Sequence, residues 1–499
     1  MQGQQAPCHA KLRSPDPSRL RFLRLVASGI AEDIAFRARR RIDRPGRGFA
    51  AHRMPSRAIS RSVTNPADPS APRALSHPLP AGLRDLLPEE TRRRRALGRV
   101  VLDHFDLHGY RLVTPPAFEL AEVLERGLGA LDPSDVLRFI EPESGEVAAL
   151  RPDMTPQIAR MVATRLGREP QPIRLCYEGT IVRRRQGRAR RHRQVPQAGV
   201  ELYGTVPGTA AGEPVTLAGD MEILRLASSV VERLGLTDFV IDLGHASIAR
   251  SLLEPLPPAL AAEVGDALGQ KDGARVERLM NGRNGGAVLA RIGDLHGGGP
   301  GEASAEALFT QAAPLLAGTK AEAALHELTA LWTAARRALG ATLRLDLGEV
   351  RGFAYYTGAI FHLLAPGPGE PIGAGGRYDD LLARFDMPMP AVGFALSLDS
   401  VAWAREAAGC REETRHSAVV AVADAAESAD LLKALRRRKI AAVACPVDSA
   451  FAYAAAWRYT HVVTAGGEPR LFRAQVVGAQ TTEAMATNPE ALAAALVTR

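Results

Sequence analysis

The chain is poor in cysteine, has no long apolar run and shows no metal-binding cluster. Four cysteines in 499 residues, Cys8, Cys176, Cys410 and Cys445, stand far apart with no CxxC pair or His/Cys group. That argues against a disulfide framework or a structural zinc site and fits a reducing cytoplasm. No apolar run approaches the roughly 18–20 residues of a transmembrane span, and the start lacks the charged-then-apolar pattern of a secretory signal, so a soluble, cytoplasmic location is expected. No spacing of metal ligands stands out, and no Ser/His/Asp or Cys/His nucleophile arrangement has support beyond the presence of those residue types. Neither a metal nor a cofactor is expected.

Acids are also scarce at the start. Residues 1–80 hold about fifteen Arg and Lys against about five acids, while the whole chain carries +8, so the remainder is close to neutral or slightly acidic. The basicity belongs to this tail rather than to a nucleic-acid-binding body. The tail has runs such as Arg39, Arg40 and Arg41, frequent Pro and Ser, and little apolar periodicity, the composition of a disordered extension. A basic RNA-binding arm and a transit-like segment are the competing readings. The extension could also arise from translation upstream of the true start, with Met54 as a candidate. The whole chain, with 46% hydrophobic and 24% charged residues over 499 positions, has the balance of two or three domains with ample core.

Residues 1–78 are therefore expected to be an extension, 79–410 a core domain with a helical insertion at about 247–338, and 416–499 a small α/β domain. In the core, 88–108 has helix-like apolar spacing, 110–113 reads as a strand stopped by Pro115 and Pro116, and 118–129 as a helix. Segments 137–141 and 147–151 read as a hairpin around Pro142–Gly145, and 155–165 as a helix. Strands are expected at 173–183, 195–204, 238–243, 342–348, 355–364 and from 391, helices at 216–235 and 378–384, and a glycine turn at 373–376. Adjacent strands without regular crossovers predict a mostly antiparallel sheet. After 416, strand and helix alternate as in a small parallel α/β unit.

Four segments carry chemistry in combination: LHGYRLVTPPAFE (107–119), LRPDMTPQIAR (150–160), EVRGFAYYTGAIF (349–361) and GAGGRYDDLL (373–382), together with the strand, basic loop and strand of GTIVRRRQGRARRHRQVPQAGVELYG (179–204). An imidazole presents a donor and an acceptor, or two donors when protonated, so its site needs a carboxylate and a hydroxyl able to reverse roles. Glu201 with Tyr356 and Tyr378 supplies these. Asp153, Thr155 and Gln197 could accept from an ammonium group, and Arg183 and Arg351 are candidates to hold a carboxylate. Each has a plainer reading: Glu201 alternates with Val200 and Leu202 as a solvent-facing acid would, Arg351 could pair with Glu349 or Asp346, and Tyr355 and Tyr356 should point to opposite faces of a strand.

From about 79 to 405 the chain resembles histidyl-tRNA synthetase, and more closely its catalytically inactive paralogue, the regulatory subunit of ATP phosphoribosyltransferase. The resemblance implies an α+β fold, with a class II aminoacyl-tRNA synthetase-like antiparallel sheet and a C-terminal α/β domain like an anticodon-binding domain. It implies a histidine site in which Asp153, Thr155 and Gln197 lie near the amino group, Glu201, Tyr356 and Tyr378 near the ring, with Tyr355 as the alternative tyrosine, and Arg183 and Arg351 near the carboxylate. It also implies a short-form ATP phosphoribosyltransferase catalytic subunit as partner, homodimerisation around Pro116 within a hetero-octamer, and histidine feedback on the first step of histidine synthesis.

Departures from the synthetase pattern point the same way. Ser400 stands where a synthetase places an arginine on the ATP triphosphate, Arg185 stands where it carries a glutamate, Asp153 is one methylene shorter than the expected glutamate, and Ala354 replaces an acid. Losing one phosphate clamp typically removes a few kcal/mol of transition-state stabilisation. No catalytic residue is expected. The C-terminal domain has few basic residues outside Arg436–Lys439, where a tRNA-reading surface should be broadly positive, so tRNA is not the expected ligand. An active histidine–tRNA ligase and a tRNA-binding sensor without ligase activity are the rival functions.

Overall fold

The computed structural model describes residues 79–499 except 129–135, 184–191, 209–213, 300, 351–354, 411–419, 424–427, 467–470, 479–481 and 498–499. The expected extension, Arg185, Arg351 and Ala354 lie outside the described residues. Helix α1 (Pro88–Leu107) begins with proline, whose missing N–H costs nothing there, and with Glu89 and Glu90 against the positive end of the helix dipole. Its buried residues Leu97, Val101 and Phe105 recur every four positions, so one face docks on the core.

That core is a nine-stranded sheet. Its spatial order is β1 (Arg111–Leu112), β5 (Ile173–Val182), β6 (Gln194–Tyr203), β12 (Ala391–Ser397), β11 (Gly373–Arg377), β10 (Ala359–Leu364), β7 (Val240–His245), β9 (Leu343–Asp346) and β8 (His296–Gly297). From β5 to β7 every pairing is antiparallel; β1 joins β5 and β9 joins β7 in parallel. The predominantly antiparallel sheet read from the sequence is the one found.

Side-chain alternation sorts the strands onto two faces. Cys176, Ala198, Val200, Leu202, Phe361, Val392 and Phe394 point to one face, packed with α1 and with the buried stripe of α4 (Leu217–Arg233). Leu175, Tyr177, Ile181, Tyr203 and Ile360 point to the other, where they meet Met154, Ile158 and Val162. Ile158 and Val162 belong to α3 (Thr155–Met161) and the π turn that continues it at Val162–Leu166, and Met154 immediately precedes the helix. The site lies on this second face. Beside it β2 (Phe118–Leu120), β4 (Val147–Leu150) and β3 (Leu137–Ile140) form a three-stranded sheet with α2 (Ala121–Leu128).

Several expectations need correction. Residues 373–376 are not a turn but most of β11, a central strand paired on both sides. Turn-like composition arises there because neither flanking strand leaves room: a Cβ on Gly375 would lie 2.5 Å from the Gly393 carbonyl oxygen, and one on Gly376 2.5 Å from that of Ala359. Segment 118–129 starts as a strand before turning helical. The only regular helix between 378 and 385 is a short 3-10 turn at Leu382–Phe385. Strand β10 begins at Ala359, so Tyr355 and Tyr356 precede it and do not alternate across a sheet.

Between β7 and β9 run α5 (Ala246–Leu253), α6 (Pro258–Gly269), α7 (Gly273–Met280), α8 (Gly286–Asp294), the short β8, α9 (Ala305–Leu316) and α10 (Ala321–Leu339). Helices α6 to α8 share a small apolar core of Val264, Leu268, Val276, Met280 and Leu289, while α10 returns to the main core through Leu328, Leu331 and Trp332. Past β12 comes α11 (Leu398–Ala407). The C-terminal sheet has the order β14 (Ala442–Cys445), β13 (Val420–Ala423), β15 (His461–Gly466), β16 (Leu471–Val476), β17 (Thr482–Ala486). It carries α12 (Ser428–Arg437), α13 (Ala450–Ala456) and α14 (Pro489–Val497). Its first three strands are parallel as expected; β16 and β17 are antiparallel additions, so the sheet is mixed. Among the described residues no helix is long and apolar enough to cross a membrane.

Candidate functional site

Glu201 occupies the middle of β6, opposite Leu175 on β5 and Gly393 on β12, and is 1% exposed. It is therefore not the solvent-facing acid that simple alternation allows. Its Oε1 accepts a hydrogen bond from Thr155 Oγ1 at 2.7 Å. Thr155 begins α3, and the preceding Asp153 points the same way: Tyr355 donates its hydroxyl to Asp153 Oδ2 at 2.7 Å, and the Met154 N–H donates to Oδ1 at 2.8 Å. Two carboxyls from distant parts of the chain thus share one buried pocket, each tied to a hydroxyl.

The tyrosines close around them. Tyr355 and Tyr356 are both buried, with ring centroids 5.0 Å apart, and Tyr378 meets Tyr355 edge-on at 5.5 Å. The expectation that only one of the adjacent pair could face the site is corrected: outside a strand, both turn into the same cluster. Gln197 lies four residues before Glu201 on the same face of β6. Arg183 follows β5 at the margin, half-buried, and its charge draws on Asp153.

Burial sets the electrostatics. It pushes the Asp153 carboxyl above its ordinary range, against the opposing pull of the Tyr355 hydrogen bond and the Arg183 charge. Burial also holds Glu201 well above that range; the Thr155 hydrogen bond opposes it and the Asp153 charge adds to it. The Tyr355 hydroxyl is raised by burial and next by Asp153, so it stays a donor.

Around this core several buried polar atoms have no partner among the described residues: Gln197 Oε1, Glu201 Oε2 and the hydroxyls of Tyr177, Tyr203 and Tyr378. Buried polar groups are normally bonded, so a group of orphans converging on one place marks a site for a polar ligand. The set is rich in acceptors and hydroxyls and suits a ligand that brings N–H donors. Tyr177 and Tyr203 were not anticipated. The register held the signal: Tyr203 is two residues beyond Glu201, hence on the same face, and Tyr177 faces Gly199, which lies between Gln197 and Glu201.

Gly393 forms the floor. A Cβ built there would lie 2.3 Å from Glu201 Oε2 and 2.4 Å from the Tyr378 hydroxyl. The two orphan oxygens therefore both overlie a bare Cα. A separate cleft of about 1050 Å3 opens beside Ser397 and Ser400, where Arg84, Arg93 and Arg94 are mixed with Glu89, Glu370 and Asp399.

Comparison with known proteins agrees with this architecture. A family model described as histidyl-tRNA synthetase matches residues 82–401. An ATP phosphoribosyltransferase regulatory subunit from Anaeromyxobacter sp. (strain Fw109-5) is 42% identical over 339 residues, 67% of this chain and 94% of that protein. The chain belongs to the histidyl-tRNA synthetase-like family of ATP phosphoribosyltransferase regulatory subunits. A crystal structure from Bacillus halodurans C, described as an ATP phosphoribosyltransferase regulatory subunit/histidyl-tRNA synthetase, matches with a TM-score of 0.64 at 25% identity, over 79% of this chain and 99% of that one. Histidyl-tRNA synthetase from Nostoc sp. PCC 7120 shares the fold at 18% identity, with a TM-score of 0.62 over 83% of this chain and 97% of that one.

Against this regulatory-subunit family background the start of α11 takes on meaning. Ser400 is buried, and its Oγ lies 3.0 Å from both Glu370 Oε1 and Ser397 Oγ. The adjacent Asp399 accepts from Arg84 at 2.8 Å. A small neutral side chain beside an acid thus opens α11.

Proposed function

We propose that this chain is the regulatory subunit of an ATP phosphoribosyltransferase, acting without catalysing a reaction of its own, and that it senses histidine in the pocket around Glu201. The observation that carries the sensing role is the convergence of Asp153, Thr155, Glu201, Tyr355, Tyr356 and Tyr378 with unpartnered buried oxygens. In this reading Asp153 and Gln197 receive the ammonium group, Glu201 and Tyr378 the ring, and Arg183 with Arg351 the carboxylate. Thr155, expected near the amino group, bonds Glu201 and so links the two subsites.

The partner is the short-form catalytic subunit, joined in a cytoplasmic hetero-oligomer built on a dimer of this chain. Support for the dimer comes from the region after α1, where Leu112, Phe118, Leu120 and Phe139 leave apolar surface exposed on one protomer. Histidine acts by favouring one quaternary state, and the coupling is reciprocal, so the catalytic subunit must also change the affinity for histidine.

The test mixes this protein with the short transferase subunit of the same organism and follows phosphoribosyl-ATP formation with and without histidine. Activity should appear only in the mixture and fall with histidine; Glu201→Ala should keep the activation and lose the inhibition. A transferase fully active and histidine-sensitive alone would end the regulatory reading. Unchanged inhibition in the Glu201→Ala complex would end the pocket's role in sensing.

A further inference from the structure

Among the described residues no cation bears on the Glu201 carboxyl. Thr155 donates to Oε1 at 2.7 Å, the Tyr177 hydroxyl bears on the carboxyl more weakly, and Oε2 is buried with no partner at full hydrogen-bond geometry among the described residues. The titratable groups facing it are Asp153 from before α3, Tyr177 from β5, Tyr203 from β6 itself, Tyr355 and Tyr356 from before β10, and Tyr378 from after β11. Among the described cations Arg183 bears on this pair through Asp153. If both carboxyls were ionised, two negative charges would share a buried pocket with, among the described residues, Arg183 at its margin and bearing on Asp153. An unpaired buried carboxylate is so unfavourable that such a group takes up a proton instead. The upward push of burial on Glu201 runs in that direction.

We infer that Glu201 stands as a neutral carboxylic acid in the ligand-free protein and hands its proton to a basic ring nitrogen of the incoming ligand. The O–H bond at Oε2 breaks and its electron pair stays on the carboxylate. An N–H bond forms on the ring, and the neutral acid–base pair becomes a carboxylate–imidazolium pair with no proton exchanged with solvent. The Tyr378 hydroxyl, brought next to Oε2 over Gly393, donates to the carboxylate so formed. Imidazole is the stronger base by about two pKa units in water, and close pairing stabilises both charges in a buried site. This inference rests on the reading of the pocket as a histidine site, and makes it selective for basicity as well as shape. A triazole analogue of histidine, nearly the same shape but a much weaker base, should bind roughly 10- to 100-fold more weakly. Below about pH 6.5 free histidine is already protonated on the ring, so binding must discharge a proton and affinity falls as pH falls.

The test uses the full-length protein and histidine labelled with nitrogen-15 in the ring, at about pH 8, where the free ring is neutral. Bound histidine should show both ring nitrogens protonated. Calorimetry in two buffers of different ionisation heat should find no net proton uptake. Infrared spectra of the ligand-free protein should contain a protonated-carboxyl band that is absent in Glu201→Gln and vanishes when histidine is added. A neutral bound ring, or one proton drawn from the buffer, would overturn the inference. An absence of heat on adding histidine would overturn the histidine reading instead, while the band in the ligand-free protein, present or absent, would still decide the state of Glu201.

Discussion

Gly393 matters through what it omits. It faces Glu201 across the β6–β12 ladder, and any side chain there would enter the space between Glu201 Oε2 and the Tyr378 hydroxyl. The Val200 carbonyl oxygen would also lie 2.4 Å from the new Cβ, so Gly393→Ala should spread the β6–β12 ladder locally as well as displace the two side chains, at a cost of about 3 kcal/mol or more. Histidine affinity should then fall by more than tenfold while the variant still activates the catalytic subunit. Titration calorimetry with histidine, set beside a melting curve, separates the two effects. Affinity unchanged in a normally folded Gly393→Ala protein would show that the ligand does not sit over this residue. Tyr355 makes the related point that adjacent residues need not divide between core and site: its hydroxyl is spent on Asp153, which positions that carboxyl and leaves Tyr378 with its oxygen unpartnered toward Glu201.

Elements were legible in the sequence wherever periodicity was unopposed by close packing. The amphipathic face of α1, the long strands β5 and β6 and the helical run between β7 and β9 follow from spacing alone. β11 was hidden because its glycines answer to two neighbouring strands, a cause that local composition cannot distinguish from a turn. The site was legible as residue types in motifs, but its joints were not, since Thr155 meets Glu201 and Asp153 meets Tyr355 only through the tertiary fold. One further element contact has a measurable energy. Asp346, at the end of β9, is buried, and its carboxylate lies near those of Asp242 and Glu349 with oxygens within 4.8 Å of one another. Lys271, from the connection between α6 and α7, reaches Asp346 at 2.5 Å, and Val350 packs on the core of those helices. Lys271→Met should therefore leave a buried acid uncompensated and cost about 2–4 kcal/mol, somewhat below a fully buried pair because Lys271 retains contact with water. Thermal or urea unfolding measures it. Adding Asp346→Asn should recover part of the loss; a single variant within 0.5 kcal/mol of wild type, on the order of an ordinary surface change, would show that the charge cluster does not depend on this lysine.

At the scale of the whole molecule the chain keeps the body of a synthetase while its α11 start departs from what adenylation needs. Joining an amino acid to ATP builds negative charge on the phosphates, and an enzyme of this class meets it with fixed cations. Here Ser400 is turned inward against Glu370, and Asp399 consumes the nearby Arg84. Among the described residues, a triphosphate approaching this end of the sheet would meet arginines interspersed with acids rather than an unopposed arginine clamp. Missing one such clamp costs about 3–4 kcal/mol, hundreds-fold in rate, whereas the pocket around Glu201 is built from none of these residues. Binding in the proposed histidine pocket and adenylation chemistry can be measured apart on one sample. Histidine should bind, and histidine-dependent exchange of pyrophosphate into ATP should stay at the level of a protein-free control. Exchange within about 100-fold of a working synthetase, a deficit smaller than the loss of one clamp predicts, would mean that another cation has replaced the arginine. The chain would then be a ligase, and its C-terminal sheet would have to be tested for salt-sensitive binding of tRNA.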